Sequence, residues 1–441
     1  MISRRGFIGG MAALAWLRQA PAGQDASPRI DPRALRQRLE TLSTFGRPPG
    51  GNFSDGVSRT AYSDADVAGR QYVIGLMKAA GLEPRIDPAG NIFGRRSGSE
   101  ARLPPILFGS HIDSVPNGGN FDGDLGSLSA LGVLESLASA NVRTRHRLEM
   151  VVWAHEESFA FGRGLACSRI AAGEVTPGDM QEVWNGVRRA DAIRKIGGDP
   201  DRILEARRPK GSHHCYLELH IEQGGTLERA HVPVGVVEGI VAIDRYDVTI
   251  TGVANHAGTT PIPERHDAML AAAHLTIAVR DAATRVPGRQ VATVGRIEVT
   301  PNSPNVIPGL VRLSVELRDL SPQTLASMAD DIRARAKEIG TTTGTAIEFT
   351  RLADAAPAAA TPEVQGAIER AATALRLGTT RLPSGAGHDA QMMARLGPMG
   401  MIFVPSVGGV SHSPKELTHW DDCANGANVL LHAVLEMDRV D

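Results

Sequence analysis

From residue 31 to residue 233 the chain alternates short apolar runs of strand length with stretches of helical length. A strand that is apolar along its whole length must be covered on both faces. The intervening helices supply that cover, so the pattern specifies a largely parallel sheet between helical layers. Residues 105–110 (Pro-Ile-Leu-Phe-Gly-Ser) and 148–153 read as buried strands, 216–221 as a third, and 125–140 as a helix. Between 237 and 350 the order changes to strand (240–251), helix (264–285), strand (291–299), strand (311–318), helix (322–339) and strand (346–350). That β-α-β-β-α-β order belongs to a small split βαβ sandwich. The Ala/Pro-rich stretch 355–362 reads as a linker, after which 399–404 returns to an apolar strand. The expected organisation is an α/β domain made of 29–236 with 351–441, into which a second domain, 237–350, is inserted.

Charge and cysteine content narrow the chemistry. In 441 residues, 47 Lys and Arg face 49 Asp and Glu, a net charge of −2 with no long basic run. That balance leaves no electrostatic footprint for nucleic acid or an anionic lipid surface. The three cysteines, Cys167, Cys215 and Cys423, are too few for a disulfide scaffold and lack C-x-x-C spacing. A metal here would have to use imidazoles and carboxylates. At the N-terminus, Ser3-Arg4-Arg5-Gly6-Phe7-Ile8 precedes an apolar stretch through Leu17 and then Ala20-Pro21-Ala22, the layout of a signal peptide of twin-arginine type. The apolar stretch is about half the roughly 20 residues of a spanning helix, so no stable membrane anchor is expected. Residues 1–28 are therefore set aside as signal and linker, the chain passing transiently through the Tat machinery to the periplasm or beyond. The alternative is a flexible basic N-terminus on a cytoplasmic protein.

Ligand-type side chains cluster at the ends of the expected strands, where open α/β sheets build their sites. His111 and Asp113 are two apart and point the same way from an extended chain, so one can ligate while the other orients it. A glycine-rich turn, 116–123, can bring Asp122 back to the strand end. Its carboxylate could bridge two cations; because a helix follows at once, it could equally be an N-cap. Glu156 and Glu157 are adjacent, and in an extended segment they face opposite ways, as a solvated doublet would. At a metal site, one could ligate while the other stays unbound as general base. His220 and Gln223 lie in a third segment and His412 in a fourth, where a lone His also reads as a hydrogen-bonded structural residue; His155, His388 and His419 carry no assignment, and His213 with His214 reads as a loop pair. Imidazoles, a bridging carboxylate and a carboxylate doublet together suggest a one- or two-metal hydrolytic site suited to zinc, manganese or cobalt.

Together these segments resemble the amidase/hydantoinase/carbamoylase branch of the M20 metallopeptidase superfamily, which contains N-carbamoyl-L-amino acid hydrolases, allantoate amidohydrolases and β-ureidopropionases. The likeness runs from about residue 31 to the C-terminus. It rests on 109–123 (Gly-Ser-His-Ile-Asp-Ser-Val-Pro-Asn-Gly-Gly-Asn-Phe-Asp-Gly), the Glu156-Glu157 doublet and 218–224 (Glu-Leu-His-Ile-Glu-Gln-Gly). Further matches are 255–261 (Asn-His-Ala-Gly-Thr-Thr-Pro), 305–309 (Asn-Val-Ile-Pro-Gly), 384–390 (Ser-Gly-Ala-Gly-His-Asp-Ala) and 411–416 (Ser-His-Ser-Pro-Lys-Glu). The resemblance implies a metallopeptidase-like catalytic domain with an inserted lid and dimerisation domain, and two divalent ions per subunit (zinc, or manganese, cobalt or nickel). It implies His111, Asp122 and His220 on one ion, Asp122 bridging to a second held by Glu157 and His412, Glu156 as general base, and Asp113 orienting His111. His256 would reach the partner subunit's site in a homodimer and polarise the scissile carbonyl. Asn305 and Arg318 would clamp a substrate carboxylate, with Gln223 and the loop through Gly387 completing the pocket. Without the motifs, Arg318 with Asp319 reads as a surface ion pair and His256 as a helix-flanking polar residue. Residues 158–162 (Ser-Phe-Ala-Phe-Gly) depart from the family's Gly-rich, Arg-containing form, and the export signal is unusual for a mainly cytoplasmic group.

The expected activity is metal-dependent hydrolysis of a ureido C–N bond in a small carboxylate such as an N-carbamoyl-L-amino acid or allantoate, with release of ammonia. A peptidase or N-acyl-amino acid hydrolase of the same superfamily is the enzymatic alternative. An exported metal-binding protein without catalysis is the alternative from another class, although a binding module has no use for the uncommitted Glu156.

Overall fold

A computed structural model of the protein describes residues 27–440, so the signal segment expected from the sequence lies almost wholly outside the described residues. The central sheet has nine strands. Four inner strands, Leu148–Trp153, Ile106–His111, Cys215–Ile221 and Met399–Val404, run parallel to one another in that spatial order. All their residues are buried. Alternate side chains feed two cores: Phe108, Met150, Leu217 and Ile402 pack into one, Leu107, Val151, Tyr216 and Phe403 into the other. Strands Ile92–Arg96 and Val234–Ile240 flank this block antiparallel, which makes the sheet mixed at its margins and parallel at its centre. Gly109, with φ 154°, is forced by packing, since a Cβ there would run into the Val151 carbonyl of the neighbouring strand.

Helices Pro32–Leu42, Asp124–Ser139, Pro362–Ala374 and Trp420–Met437 contribute to the larger of the two cores. Asp31 caps the first of them by accepting the N–H groups of Arg33 and Ala34. Among the described residues no helix is long and apolar enough to cross a membrane. All three cysteines are buried thiols, unpaired with one another.

A second sheet has four antiparallel strands in the order Val291–Thr300, Leu310–Asp319, Ala242–Thr251 and Ala346–Ala355. Helices Ala268–Thr284 and Pro322–Thr343 pack on it around Val248, Leu275, Leu313, Val315 and Ile332, a core separate from those of the large sheet. Strand Val291–Thr300 is an edge, with Val291 and Ile297 exposed. Several boundaries differ from the sequence reading, the helix read as 322–339 for instance running to Thr343. The first helix begins at Ala268 rather than 264, because Asp267 caps it through the N–H groups of Met269 and Leu270. The last strand continues to Ala355, and the expected linker is itself paired, Ala358 and Ala359 lying antiparallel to Ile240 and Gly239. The chain thus leaves the large sheet at Ile240 and rejoins it beside the same residue.

Candidate metal centre and active site

The tips of the inner strands carry the site. His111 closes the strand Ile106–His111, and its Nδ1 lies 2.9 Å from the Asp113 carbonyl oxygen. His220 lies near the end of Cys215–Ile221 with Nδ1 3.0 Å from the Ile221 carbonyl oxygen. Donation of each Nδ1–H to a main-chain carbonyl leaves each Nε2 with its lone pair available. Both Nε2 atoms converge on Asp122 Oδ1, at 3.4 Å from His111 and 3.1 Å from His220. The other carboxylate oxygen, Asp122 Oδ2, is 3.4 Å from His412 Nε2, which lies 3.5 Å from Glu157 Oε1. Two ligand groups therefore share one carboxylate: His111, Asp122 and His220, and Asp122, Glu157 and His412. The residues fit a pair of divalent cations, because His111 Nε2 is buried without a hydrogen-bond partner and the donors are the nitrogens and oxygens such ions take.

The electrostatics point the same way. Burial, with the charge of Asp122, pushes the Glu157 carboxyl up to about 8. The hydrogen bond that His412 donates to Asp122 raises the imidazole to about 9, against its burial. Burial would also raise Asp122, but the charges and hydrogen bonds of His220, His111 and His412 outweigh it and hold that carboxyl well below its usual range. Glu156 is pushed well above the carboxylate range by burial, with Glu157, Asp389 and Asp122 adding repulsion against the pull of His111. Acidic groups crowded in this way hold protons that an incoming cation can displace.

Each ligand is aimed by its neighbours. Gly123, at φ 67°, makes the turn out of Asp122, and a Cβ on it would meet the His111 ring. Gly123 is also the N-cap of Asp124–Ser139 and supplies no side-chain cap, so Asp122 is not the helix cap that the sequence allowed. Glu416 holds the loop: its Oε1 accepts the N–H groups of Phe121 (2.9 Å) and Asp122 (3.1 Å), and its Oε2 lies 2.7 Å from Ser411 Oγ. Sequence reading assigned Glu416 no role, although it is four residues beyond His412 in the same segment. His388, also unassigned, is buried with its ring centroid 4.4 Å from that of His220 and its Nε2 2.9 Å from Ser384 Oγ.

One expectation is corrected. Asp113 was expected to orient His111 through its carboxylate, yet Oδ1 stands 3.8 Å from His111 Nδ1 while the Asp113 backbone carbonyl makes the hydrogen bond. The carboxylate instead accepts the N–H groups of Glu156 and Glu157, each at 3.1 Å. The alternative of a solvated doublet split across an extended chain does not hold, since His155 has φ 53° and both carboxylates line one cavity. Glu156 Oε2 is 3.8 Å from His111 Nε2 and belongs to neither ligand group, which leaves it uncommitted beside them.

That cavity, of about 470 Å³, also receives Gln223, Arg318 and Gly387. Gln223 Nε2 is 2.6 Å from Asp122 Oδ2. Arg318 pairs with Glu316 (2.6 Å) and donates to the Gly385 carbonyl, so it is not the Arg318–Asp319 surface pair. His256 and Asn305 do not line the cavity within this chain. Both are exposed at the short antiparallel pairing of Asn255–His256 with Val306–Ile307, beside the second sheet. His256 Nδ1 accepts the N–H groups of Gly258 (3.0 Å) and Thr259 (3.2 Å), which puts the proton of the neutral ring on Nε2.

A mixed sheet carrying two possible metal-ligand groups joined by one aspartate at its strand tips fits a hydrolase of the M20 type. The chain belongs to peptidase family M20/M25/M40, whose model matches residues 107–436. It is 40% identical over 409 residues to the N-carbamoyl-L-amino acid amidohydrolase of Geobacillus stearothermophilus, covering 92% of this chain and 99% of the relative. It is 33% identical over 401 residues to the allantoate amidohydrolase of Escherichia coli, covering 90% and 96%. A crystal structure of a hydantoinase/carbamoylase family amidase from Burkholderia multivorans superposes with TM-score 0.86 at 35% identity, over 93% of this chain and 99% of that one.

Proposed function

We propose that this chain is a dinuclear amidohydrolase that cleaves the ureido C–N bond of a small carboxylate, such as an N-carbamoyl-L-amino acid or allantoate, and releases ammonia. The observation that carries the reading is Glu156, a buried carboxylate outside both ligand groups and 3.8 Å from His111, in the cavity that also presents Arg318. The names of the relatives support the bond type. His111, Asp122 and His220 would hold one cation, and Asp122, Glu157 and His412 the other. When bound, the cations supply Lewis acidity that lowers the pKa of a water and polarises the ureido carbonyl. Glu156 takes the proton from the attacking water and delivers it to the leaving nitrogen, so that ammonia departs neutral. Arg318 grips the substrate carboxylate with its planar fork, fixing which carbonyl faces Glu156. Gln223 and the main chain at Gly387 position the remaining polar atoms.

His256 acts in this reading on the partner subunit's substrate, its Nε2–H donating to the carbonyl oxygen as negative charge builds there. Asn305, beside the paired strand Val306–Ile307, assists with the carboxylate. The exposed edge strand Val291–Thr300 and the exposed Ile277 of the adjacent helix support pairing of two such units into a homodimer. Export of the chain through the twin-arginine route belongs to the same proposal, and fractionation of cells for the cleaved form tests it.

The function is tested by ammonia release from the metal-stripped mature chain resupplied with manganese, zinc or cobalt, across allantoate, several N-carbamoyl-amino acids and dipeptides. Release from a ureido substrate only after metal addition is expected. Cleavage of dipeptides alone would move the chain to the peptidase reading, and silence on all substrates despite bound metal would revive the non-catalytic one.

A further inference from the structure

The charge lining the cavity is unbalanced away from the metal groups. Four guanidinium side chains face it, those of Arg163, Arg169, Arg245 and Arg318. Arg245 and Arg318 share a single carboxylate, Glu316. Arg163 and Arg169 share another, Glu174, at 3.4 and 2.6 Å, and Arg395 also pairs with that same Glu174. Five cations thus rest on two anions. The other acidic groups lining the cavity, Asp122, Glu156 and Glu157, belong to the metal end. Clamping one substrate carboxylate at Arg318 leaves the Arg163/Arg169/Arg395 cluster still two charges in excess.

The rest of the lining fits no bulky apolar group. Among the described residues its apolar members are Leu165, Ile243, Ala355 and Ala386, with no Phe, Tyr or Trp. Arg169 is the inner member of the cluster, with 17% of its side chain exposed, while Arg163 stands at the rim with 61% exposed. Burial and the charges of Arg163 and Arg395 pull Arg169 down to about 10, as crowding of like charges requires. An arriving carboxylate would relieve that crowding. Arg163 directly follows the segment 158–162 that departs from the family's form.

We infer that the preferred substrate carries a second carboxylate, a ureido dicarboxylate of the N-carbamoyl-aspartate or N-carbamoyl-glutamate type, with one carboxylate on Arg318 and the other on Arg163 and Arg169. The inference rests on the ureido-hydrolase reading above and adds the side-chain class. Arg163 and Arg169 are then specificity-determining residues.

The test uses the full metal-loaded protein. kcat/KM is measured for N-carbamoyl-L-aspartate against N-carbamoyl-L-asparagine, which is close in shape and lacks the second charge, and against N-carbamoyl-L-alanine and N-carbamoyl-L-methionine. The aspartate compound is expected to exceed the asparagine compound by about tenfold or more, the worth of one charge-assisted hydrogen bond, with the advantage shrinking in high salt. Arg163→Glu should collapse that ratio toward one and Arg163→Lys should keep most of it. A wild-type ratio at or below one overturns the inference while leaving the ureido reading intact. A ratio that Arg163→Glu does not move overturns the role of Arg163. Absence of ammonia from every ureido substrate removes the functional reading and this inference with it. The wild-type comparison decides the substrate class even if a variant does not fold.

Discussion

Replacing Asp113 by Asn separates the two roles that a carboxylate next to His111 could play. In the structure each Asp113 oxygen accepts one buried main-chain N–H, from Glu156 and from Glu157, both at 3.1 Å. Asparagine keeps one acceptor and turns its NH₂ toward the other N–H. The facing donor loses a hydrogen bond to a charged group, at about 3 kcal/mol, and the retained bond weakens to a neutral one at about 1 kcal/mol. The sum, about 4 kcal/mol, is concentrated on the turn that aims Glu156 and Glu157 and is within the roughly 5–15 kcal/mol that holds a domain together. The His111 ring should not notice, because its Nδ1 partner is the Asp113 carbonyl, which the substitution leaves in place. The expected outcome for Asp113→Asn is therefore a folded protein whose kcat falls by about 10²-fold, the cost of roughly 1 Å of misplacement at a reacting group. Its affinity for the metal at the His111/Asp122/His220 group should stay within a few-fold of wild type. Steady-state ammonia release, metal titration of the stripped protein and a thermal melt measure the three quantities. If kcat stayed near wild type while the first metal bound some 10–100-fold more weakly, Asp113 would be serving the imidazole after all and the geometry argued above would be wrong.

Glu156→Gln should lower kcat by about 10²–10⁴-fold, the usual range for a lost general base, with both metals still bound because Glu156 is in neither ligand group; metal analysis alongside kinetics checks it. Metal uptake at pH 7 should release protons from Glu157, held up to about 8, and from His412, held up to about 9; calorimetry in buffers of different ionisation enthalpy reads the number, and none released would contradict the assignment. In the metal-free protein both groups bind protons more tightly folded than unfolded. Their contribution to stability is therefore complete at low pH, is lost by Glu157 as pH rises from its ordinary 4.5 to about 8, and is lost by His412 between 6.5 and about 9. Thermal melts of the stripped protein across that window should show the decline, with added metal suppressing it. Mixing two inactive chains, Glu156→Gln and His256→Ala, should regain activity, since each mixed dimer then holds one site with an intact Glu156 served by an intact His256. No recovery after subunit exchange shown by mass would place His256 in its own chain's site or outside catalysis.

The parallel block of the large sheet and the six-element order of the second unit were readable as periodicity, because burial on both faces leaves a strand nothing but apolar residues and an amphipathic helix repeats its apolar face along the chain. The set His111, Asp122, Glu157, His220 and His412 followed from the motifs the chain shares with the M20 branch, whereas residue by residue His220 and His412 read equally as hydrogen-bonded structural histidines. What one-dimensional order could not carry is direction. Whether Asp122 caps a helix or faces two imidazoles depends on the left-handed turn at Gly123. Whether Asp113 serves His111 or the doublet depends on a strand neighbour, 43 residues away, bringing the Glu156 N–H to its carboxylate. Glu416 is 294 residues from the Asp122 amide it holds, and the single Glu174 joins Arg395, from a distant segment, to the nearby Arg163 and Arg169. Residue types and their order belong to the sequence. Which oxygen meets which nitrogen is set where separate strands and loops converge, and that convergence exists only once the sheet has formed.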